Sequence, residues 1–175
     1  PRRASNNQNV QAVLELLKPF AEVHIMSGHT HYAENNTYDS HYEHVHGAAC
    51  GAWWHSTINT DGTPNGYAIY KVKGATIDNW VYKATGFDPD FQIRLYRGSD
   101  IFMEGYTPSC QFYYKGDDQI VANIWNADKD WKIEVYENGT KTGEMKPYES
   151  NATKRDAWAS GYHCGVQGRA PGNYD

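Results

Sequence analysis

The sequence predicts a mainly β protein, an antiparallel immunoglobulin-like or fibronectin-like β-sandwich preceded by a smaller segment of helix, strand and strand. Short runs with period-two alternation recur along the second part of the chain, separated by Gly, Asp and Asn turn signals. The 175 residues include 14 Tyr and 6 Trp, and aromatic side chains favour strands. Helical periodicity occurs only near the N-terminus, which limits the α-helical content.

The predicted helix spans residues 7–20. Four apolar residues at positions i, i+3, i+4 and i+7 form one stripe along it, namely Val10, Val13, Leu14 and Leu17. Asn6 or Asn7 is the predicted N-cap, since an asparagine side chain accepts from the first free backbone N–H groups. Pro19 ends the helix, because proline cannot donate a hydrogen bond to the preceding turn.

A strand follows from Glu22 to Met26 and runs into Gly28, His29, Thr30 and His31. We expect Gly28 to take a positive φ where the chain turns. In an extended segment His29 and His31 point to the same side. They then present two neutral imidazoles, and histidine is the commonest metal ligand. The same spacing occurs on ordinary sheet surfaces, so a histidine-rich surface hairpin is an alternative.

Further histidines follow closely, since seven of the eight lie between His24 and His55. The polar residues 32–42 are predicted to form a loop, and Val45–Trp54 is predicted to return as a buried strand crossed closely by another backbone. Residues 58–65 contain the turn signals Asp61-Gly62 and Pro64-Asn65-Gly66. Histidines and interspersed carboxylates in one short span are compatible with a site for divalent ions.

Taken together, these motifs resemble the end of a bacterial calcineurin-like metallophosphoesterase domain and its appended all-β C-terminal domain. The residues that carry the resemblance are Gly28-His29-Thr30-His31, Glu43-His44-Val45-His46 continuing to Trp54, and Asp61 to Tyr67. The resemblance implies that His29 and His31 each bind one of two divalent ions (Mn, Zn or Fe). It places residues 1–66 at the end of the catalytic domain and 67–175 in the all-β domain. From their placement in the sequence, His44 and His46 are candidates for a catalytic residue near the substrate.

The same resemblance implies a phosphate mono- or diester substrate, which two metal ions would polarise while activating a water. The family's earlier ligand motifs, an Asp-x-His, a Gly-Asp-x-x-Asp and a Gly-Asn-His, do not occur ahead of Gly28 in this sequence. We therefore interpret the chain as a C-terminal piece of a larger enzyme that needs an N-terminal catalytic portion, and expect it to be catalytically silent alone. The resemblance also implies a periplasmic or extracellular location.

Six alternating runs predict the strands of the second part, at 67–72, 80–84, 91–96, 119–125, 131–136 and 141–146. Asn138-Gly139 between the last two is a strong hairpin signal. The tail from 157 to 175 is Gly-rich and shows no closing strand. The chain has three cysteines, and the sequence does not decide whether Cys110 and Cys164 form a disulfide.

Two other classes of function remain as alternatives. The chain is compatible with a secreted β-sandwich binding module for a glycan or protein, with Trp80, Trp125, Trp131 and Trp158 as stacking candidates, although Trp125 and Trp131 fit core positions better. The β-domain could also serve only to pack on the catalytic domain. The formal charge of −5 and the lack of a Lys/Arg cluster argue against nucleic-acid binding. No apolar run reaches the length of a membrane span.

Overall fold

The computed structural model describes residues 9–38, 40–51, 56–97, 119–147 and 156–169. Within these ranges the predicted mainly β class is confirmed, because nine strands accompany two short α-helices and one π-helical segment. In chain order the elements are α1 (Val10–Leu17), β1 (Val23–Ser27), β2 (Glu34–Tyr38), β3 (His41–Val45), β4 (Gly66–Lys73), β5 (Thr76–Ala84), β6 (Ile93–Arg97), β7 (Ile120–Ile124), β8 (Glu134–Glu137), β9 (Thr140–Glu144), α2 (Ala157–Ser160) and the π-helix Gly161–Val166.

Helix α1 is shorter than predicted. Asn9 is the N-cap residue and makes no side-chain capping hydrogen bond, whereas the predicted caps Asn6 and Asn7 lie outside the described residues. The helix ends at Leu17, ahead of the proline, as expected. Its apolar stripe is only partly packed, since Leu14 is buried while Val13 is 49% exposed. Packing therefore stabilises only one part of this helix.

Strands β1, β2 and β3 form one sheet in the order β1–β3–β2. The central strand β3 is parallel to β1 and antiparallel to β2. The predicted loop at 32–42 is therefore wrong, because its polar residues include β2 and the start of β3. The predicted strand 45–54 is wrong as well, since β3 ends at Val45, where that strand was expected to begin, and 52–55 lie outside the described residues.

The strands of the second part pair as hairpins or as antiparallel neighbours, β4 with β5, β6 with β7 and β8 with β9. The predicted Asn138-Gly139 turn is confirmed, with φ of +49° and +81° at the two residues, as a two-residue hairpin loop requires. In the described part of the chain each of these sheets has two strands. The larger sheets expected of a sandwich are not seen there, because alternation predicts a strand but not the number of its neighbours.

The Gly-rich tail is predicted to lack a closing strand, and its described part, 156–169, contains α2 and the π-helix and no strand. Asp156 precedes α2, and its Oδ2 accepts a hydrogen bond from the Ala159 backbone N–H at 3.0 Å. An aspartate at this position satisfies one of the N–H groups that a helix leaves free at its start. The capped segment is well packed, because Asp156, Ala159 and Ser160 are all buried.

Two tryptophans expected in the core behave differently. Trp125 is 1% exposed, and its indole Nε1 donates to the Phe91 carbonyl at 2.7 Å, so its core position is confirmed. Trp131 is 49% exposed, so its core position was wrong; it precedes β8 rather than belonging to it. Of the two cysteines considered for a disulfide, Cys164 is buried and Cys110 lies outside the described residues.

Candidate functional site

The loop from Gly28 to His31 directly follows β1 and has an unusual backbone. His29 has φ of +79° and His31 has φ of +58°. The predicted positive φ therefore falls on these histidines and not on Gly28, and the expected extended arrangement is wrong. A positive φ costs a non-glycine residue free energy and is concentrated at functional sites, where the surroundings enforce it. His29 is exposed and His31 is half-buried.

The parallel pairing of β1 with β3 brings a third histidine to this loop. The two strands end together, because Ser27 pairs with Val45 and the His46 backbone N–H donates to the Ser27 carbonyl at 3.0 Å. A Cβ built on Gly28 would lie 4.0 Å from the His46 carbonyl oxygen. His46 and the histidine loop thus share the carboxyl edge of the sheet, where ligands collect in parallel α/β architectures.

A half-buried carboxylate, that of Asp61, fixes the far end of the loop. Asp61 Oδ2 accepts the Ala33 backbone N–H at 2.7 Å and the Thr63 hydroxyl at 2.9 Å. Its Oδ1 accepts the Thr63 backbone N–H at 3.1 Å. Burial raises the pKa of Asp61 to about 6, against the lowering effect of these donors. Asp61 therefore ties the residue two positions after His31 to the turn at 58–65.

That turn belongs to a group of buried and half-buried polar side chains, which we call the polar centre and define as Asn59, Asp61, Thr63, Asn123 and Asp156. Its members come from separate segments and are linked by direct hydrogen bonds. Asn123 Nδ2 donates to the Asp61 carbonyl at 2.6 Å and to Asp156 Oδ1 at 3.1 Å. Asn59 Oδ1 accepts the Ala48 N–H at 2.9 Å. Buried polar groups that are bonded in this way hold a single arrangement.

His46 also lies at one end of a row of rings, which we call the ring cluster. Its members are His24, Tyr42, His44, His46, Tyr70 and Trp80. His44 is central, with its ring centroid 4.2 Å from that of Tyr42 and 5.2 Å from that of His24. His24 Nδ1 and His44 Nε2 are 2.9 Å apart, and the Tyr70 hydroxyl lies 2.6 Å from His46 Nε2.

Burial keeps two histidines neutral: His44, which is in β3, and His46, which directly follows β3. Burial lowers the pKa of His44 to about 4, assisted by the neighbouring His24 and His46. Burial also lowers the pKa of His46. His44 is only 1% exposed, so it is an interior residue that faces the rings, whereas His46 is half-buried beside the loop. A role for either residue at the substrate stays a prediction, and the geometry favours His46.

The described residues do not by themselves form a metal site. Across them, no group of three or more His, Cys, Asp and Glu side chains is placed to hold an ion. Structural and catalytic metal sites use at least three protein ligands as a rule. His29 and His31 therefore fit part of a metal-ligand set at most.

Three residues of this region are not identified as site residues from the sequence. Asp61 belongs there to a turn signal and to a segment that carries the family resemblance, Tyr70 belongs to a predicted strand, and Asp156 belongs to neither. An aspartate before Ala157-Trp158-Ala159 matches a helix N-cap pattern, and that signal could have found Asp156. The roles of Asp61 and Tyr70 depend on contacts between distant segments.

The fold is a β-rich domain preceded by a loop that carries two left-handed histidines at the carboxyl end of β1. The sequence matches the family described as the C terminal of calcineurin-like phosphoesterase over residues 43–170. The match covers more than half of the chain, and the chain belongs to this family. Comparison with curated proteins and with solved structures found no match. In the described part of the chain no helix has the length and apolar character required to cross a membrane.

Proposed function

We propose that this chain serves in the metal-dependent hydrolysis of phosphate mono- or diesters, as the C-terminal part of a two-metal phosphoesterase. His29 and His31 would each supply a neutral imidazole to one of two divalent ions (Mn, Zn or Fe). The observation that carries the proposal is the pair of left-handed histidines at the carboxyl end of β1. The family membership supports it independently. The location, as the resemblance suggests, would be periplasmic or extracellular in a bacterium.

Each residue around the loop has a part in this proposal. Asp61 positions the loop through the Ala33 N–H. His46, neutral and bonded to the Tyr70 hydroxyl, is the residue of this chain that we place nearest to the phosphate ester. His44 stabilises the ring cluster from inside. The remaining metal ligands would come from an N-terminal catalytic portion, which is the partner of this domain.

A metal titration tests the histidine loop. We expect the purified chain to bind Mn²⁺ or Zn²⁺ weakly, and expect a His29→Ala, His31→Ala double variant to lose this binding, as measured by isothermal titration calorimetry. His24→Gln is the matched control, because His24 lies at the other end of β1 and should leave binding unchanged. Equal binding by the double variant and the wild type would contradict the proposal.

An activity assay tests whether this chain requires the N-terminal catalytic portion for hydrolysis. The purified chain alone should not hydrolyse p-nitrophenyl phosphate, since two histidines cannot hold two metal ions tightly. Turnover by the isolated chain that His29→Ala abolishes would overturn the need for a separate catalytic portion. The same substitution in a phosphoesterase that includes both portions should abolish its turnover.

A further inference from the structure

A separate cavity lies beside the polar centre and none of the residues 28–33 lines it. Its volume is about 400 Å³, which is within the usual range for a small-molecule site. The walls are mainly apolar and aromatic, and they include Pro64, Thr85, Phe87, Arg94, Trp158 and Tyr162. Among the described residues that line the cavity, Arg94 is the only charged one.

The Arg94 side chain is held firmly in the wall. Its guanidinium carbon lies 5.2 Å from the ring centroid of Trp125 and 5.0 Å from that of Trp158. Stacking between aromatic faces fixes the plane of the guanidinium. Its Nη1 donates to the Gly62 carbonyl at 2.9 Å. The charged group is thus placed at the cavity before any ligand arrives.

Few of the hydrogen-bond donors of Arg94 have a partner in the described part of the chain. A guanidinium carries five N–H donors, and among the described residues the bond to Gly62 uses one. Arg94 forms no ion pair with any carboxylate of the described residues. Among the described residues the carboxylate that acts most strongly on the Arg94 charge is that of Asp156, but it already accepts from the Tyr96 hydroxyl, Asn123 Nδ2 and the Ala159 N–H. Arg94 is half-buried, and a charge that is partly removed from water is stabilised by a partner, so these donors favour an anion.

We propose that this cavity binds a small molecule that carries a carboxylate or phosphoryl anion on an apolar ring. The anion would accept two hydrogen bonds from Arg94 in the forked geometry that arginine offers to such groups. The ring would pack on Trp158, Phe87 and Pro64. This site is independent of the histidine loop and holds whether or not the proposed hydrolysis is correct.

Calorimetric titration of the purified chain with four probes tests the chemistry. Benzoate and phenylphosphonate combine a ring with each anion, and the phosphonate contains no ester bond that a phosphoesterase could hydrolyse. Benzyl alcohol lacks the charge and inorganic phosphate lacks the ring. We expect the first two to bind with millimolar or tighter affinity and the last two at least tenfold more weakly. Failure of both anionic rings to bind, or equal binding by either control, would overturn the proposal.

Two variants locate the binding. Arg94→Gln should weaken phenylphosphonate binding at least tenfold, about the effect expected when a charged hydrogen-bonding partner is lost. Because this change also removes the bond to Gly62, its folding must be checked by urea unfolding. Thr85→Trp provides a second test, since Thr85 is exposed and an indole there would fill the cavity while leaving Arg94 intact. Lys71→Gln on exposed β4 is the control. Unchanged affinity in Thr85→Trp would overturn the proposed location.

Discussion

The chain between Asp61 and Thr63 of the polar centre and the turn of the β8–β9 hairpin each hold a glycine with nearly the same φ, in opposite surroundings. Gly62 has φ of +82° and Gly139 has φ of +81°. Around Gly62 the side chains of Asn59, Thr63 and Asp156 are at most 2% exposed, whereas the hairpin side chains are mostly exposed. The hairpin depends on its turn and local pairs, while the polar centre depends on hydrogen bonds between segments that are distant in sequence. The same φ is therefore expected to matter very differently for stability at the two glycines.

Substitution of the two glycines should give the largest difference. A Cβ on Gly62 would lie 2.5 Å from both Asn123 Nδ2 and Asp156 Cγ, whereas one on Gly139 meets no atom within 4 Å. We expect Gly62→Ala to lower the free energy of unfolding by about 3 kcal/mol or more, through strain and overpacking. Gly139→Ala should cost about 1 kcal/mol, from the left-handed φ alone. Urea unfolding measures both, and equal losses would show that the polar centre accommodates a methyl group.

A smaller effect is expected from Asp61→Asn. An amide at this position has one acceptor and one donor group, so it cannot accept the Ala33 N–H and both Thr63 donors. We expect a loss of about 2 kcal/mol in the free energy of unfolding at neutral pH, the usual result of leaving buried donors without an acceptor. Because Asp61 ties down the histidine loop, metal affinity should fall as well. Unchanged metal affinity in a folded Asp61→Asn protein would show that the loop does not need this anchor.

The same variant has a pH signature whose sign follows from linkage. The folded pKa of Asp61 is raised from 3.8 to about 6, so its contribution to stability falls as pH rises through that window. For His44 and His163 the folded pKa is lowered from 6.5 to about 4. The unfolded chain then binds more protons, and their contributions rise over a similar window. Wild-type stability should therefore increase with pH from about 4 to 6.5, and Asp61→Asn should increase more steeply. Parallel urea-midpoint curves would contradict a titrating Asp61.

The smallest effect should come from the hairpin surface. Glu134 and Glu144 are opposite each other in the pairing register, and Lys141 Nζ lies 2.5 Å from one carboxylate and 2.9 Å from the other. Exposed ion pairs contribute little because water and salt screen them. Lys141→Ala should leave the urea midpoint almost unchanged, with any difference vanishing at high salt. The control is Lys129→Ala at another exposed pair, and a loss as large as that of Gly139→Ala would contradict this account.

Local patterns in the sequence were sufficient for the strands of the second part and for the Asn138-Gly139 turn. In each case the information lies within a few neighbouring residues. The class of the chain and its family also followed from motifs. Strand β2 was missed because Glu34 to Tyr38 has no apolar alternation, and this segment is a strand because it pairs with β3. The Asn35 side chain adds a bond of 2.6 Å to the distant Asn126 carbonyl.

The site was less accessible from sequence than the fold. The spacing of His29 and His31 identified the loop. The sequence predicted a positive φ at Gly28, whereas the structure has it at His29 and His31. Strand β3, which brings His46 to the loop, pairs with β1 although β2 lies between them in the chain. No local sequence pattern shows this strand order. Asp61 and Arg94 act through contacts with residues 28 to 64 positions away in sequence. Such contacts exist only in the folded chain.

The central position of β3 has a consequence for how this domain is produced in isolation. The family match starts at Glu43, which is in the middle of β3, so that boundary divides the strand that holds the sheet together. A chain begun at Glu43 would lose β1 and β2, and the remnant of β3 would present both edges unpaired. Open strand edges recruit other chains. Domain dissection at the family boundary should therefore give aggregates, and a start before Val23 keeps the sheet whole.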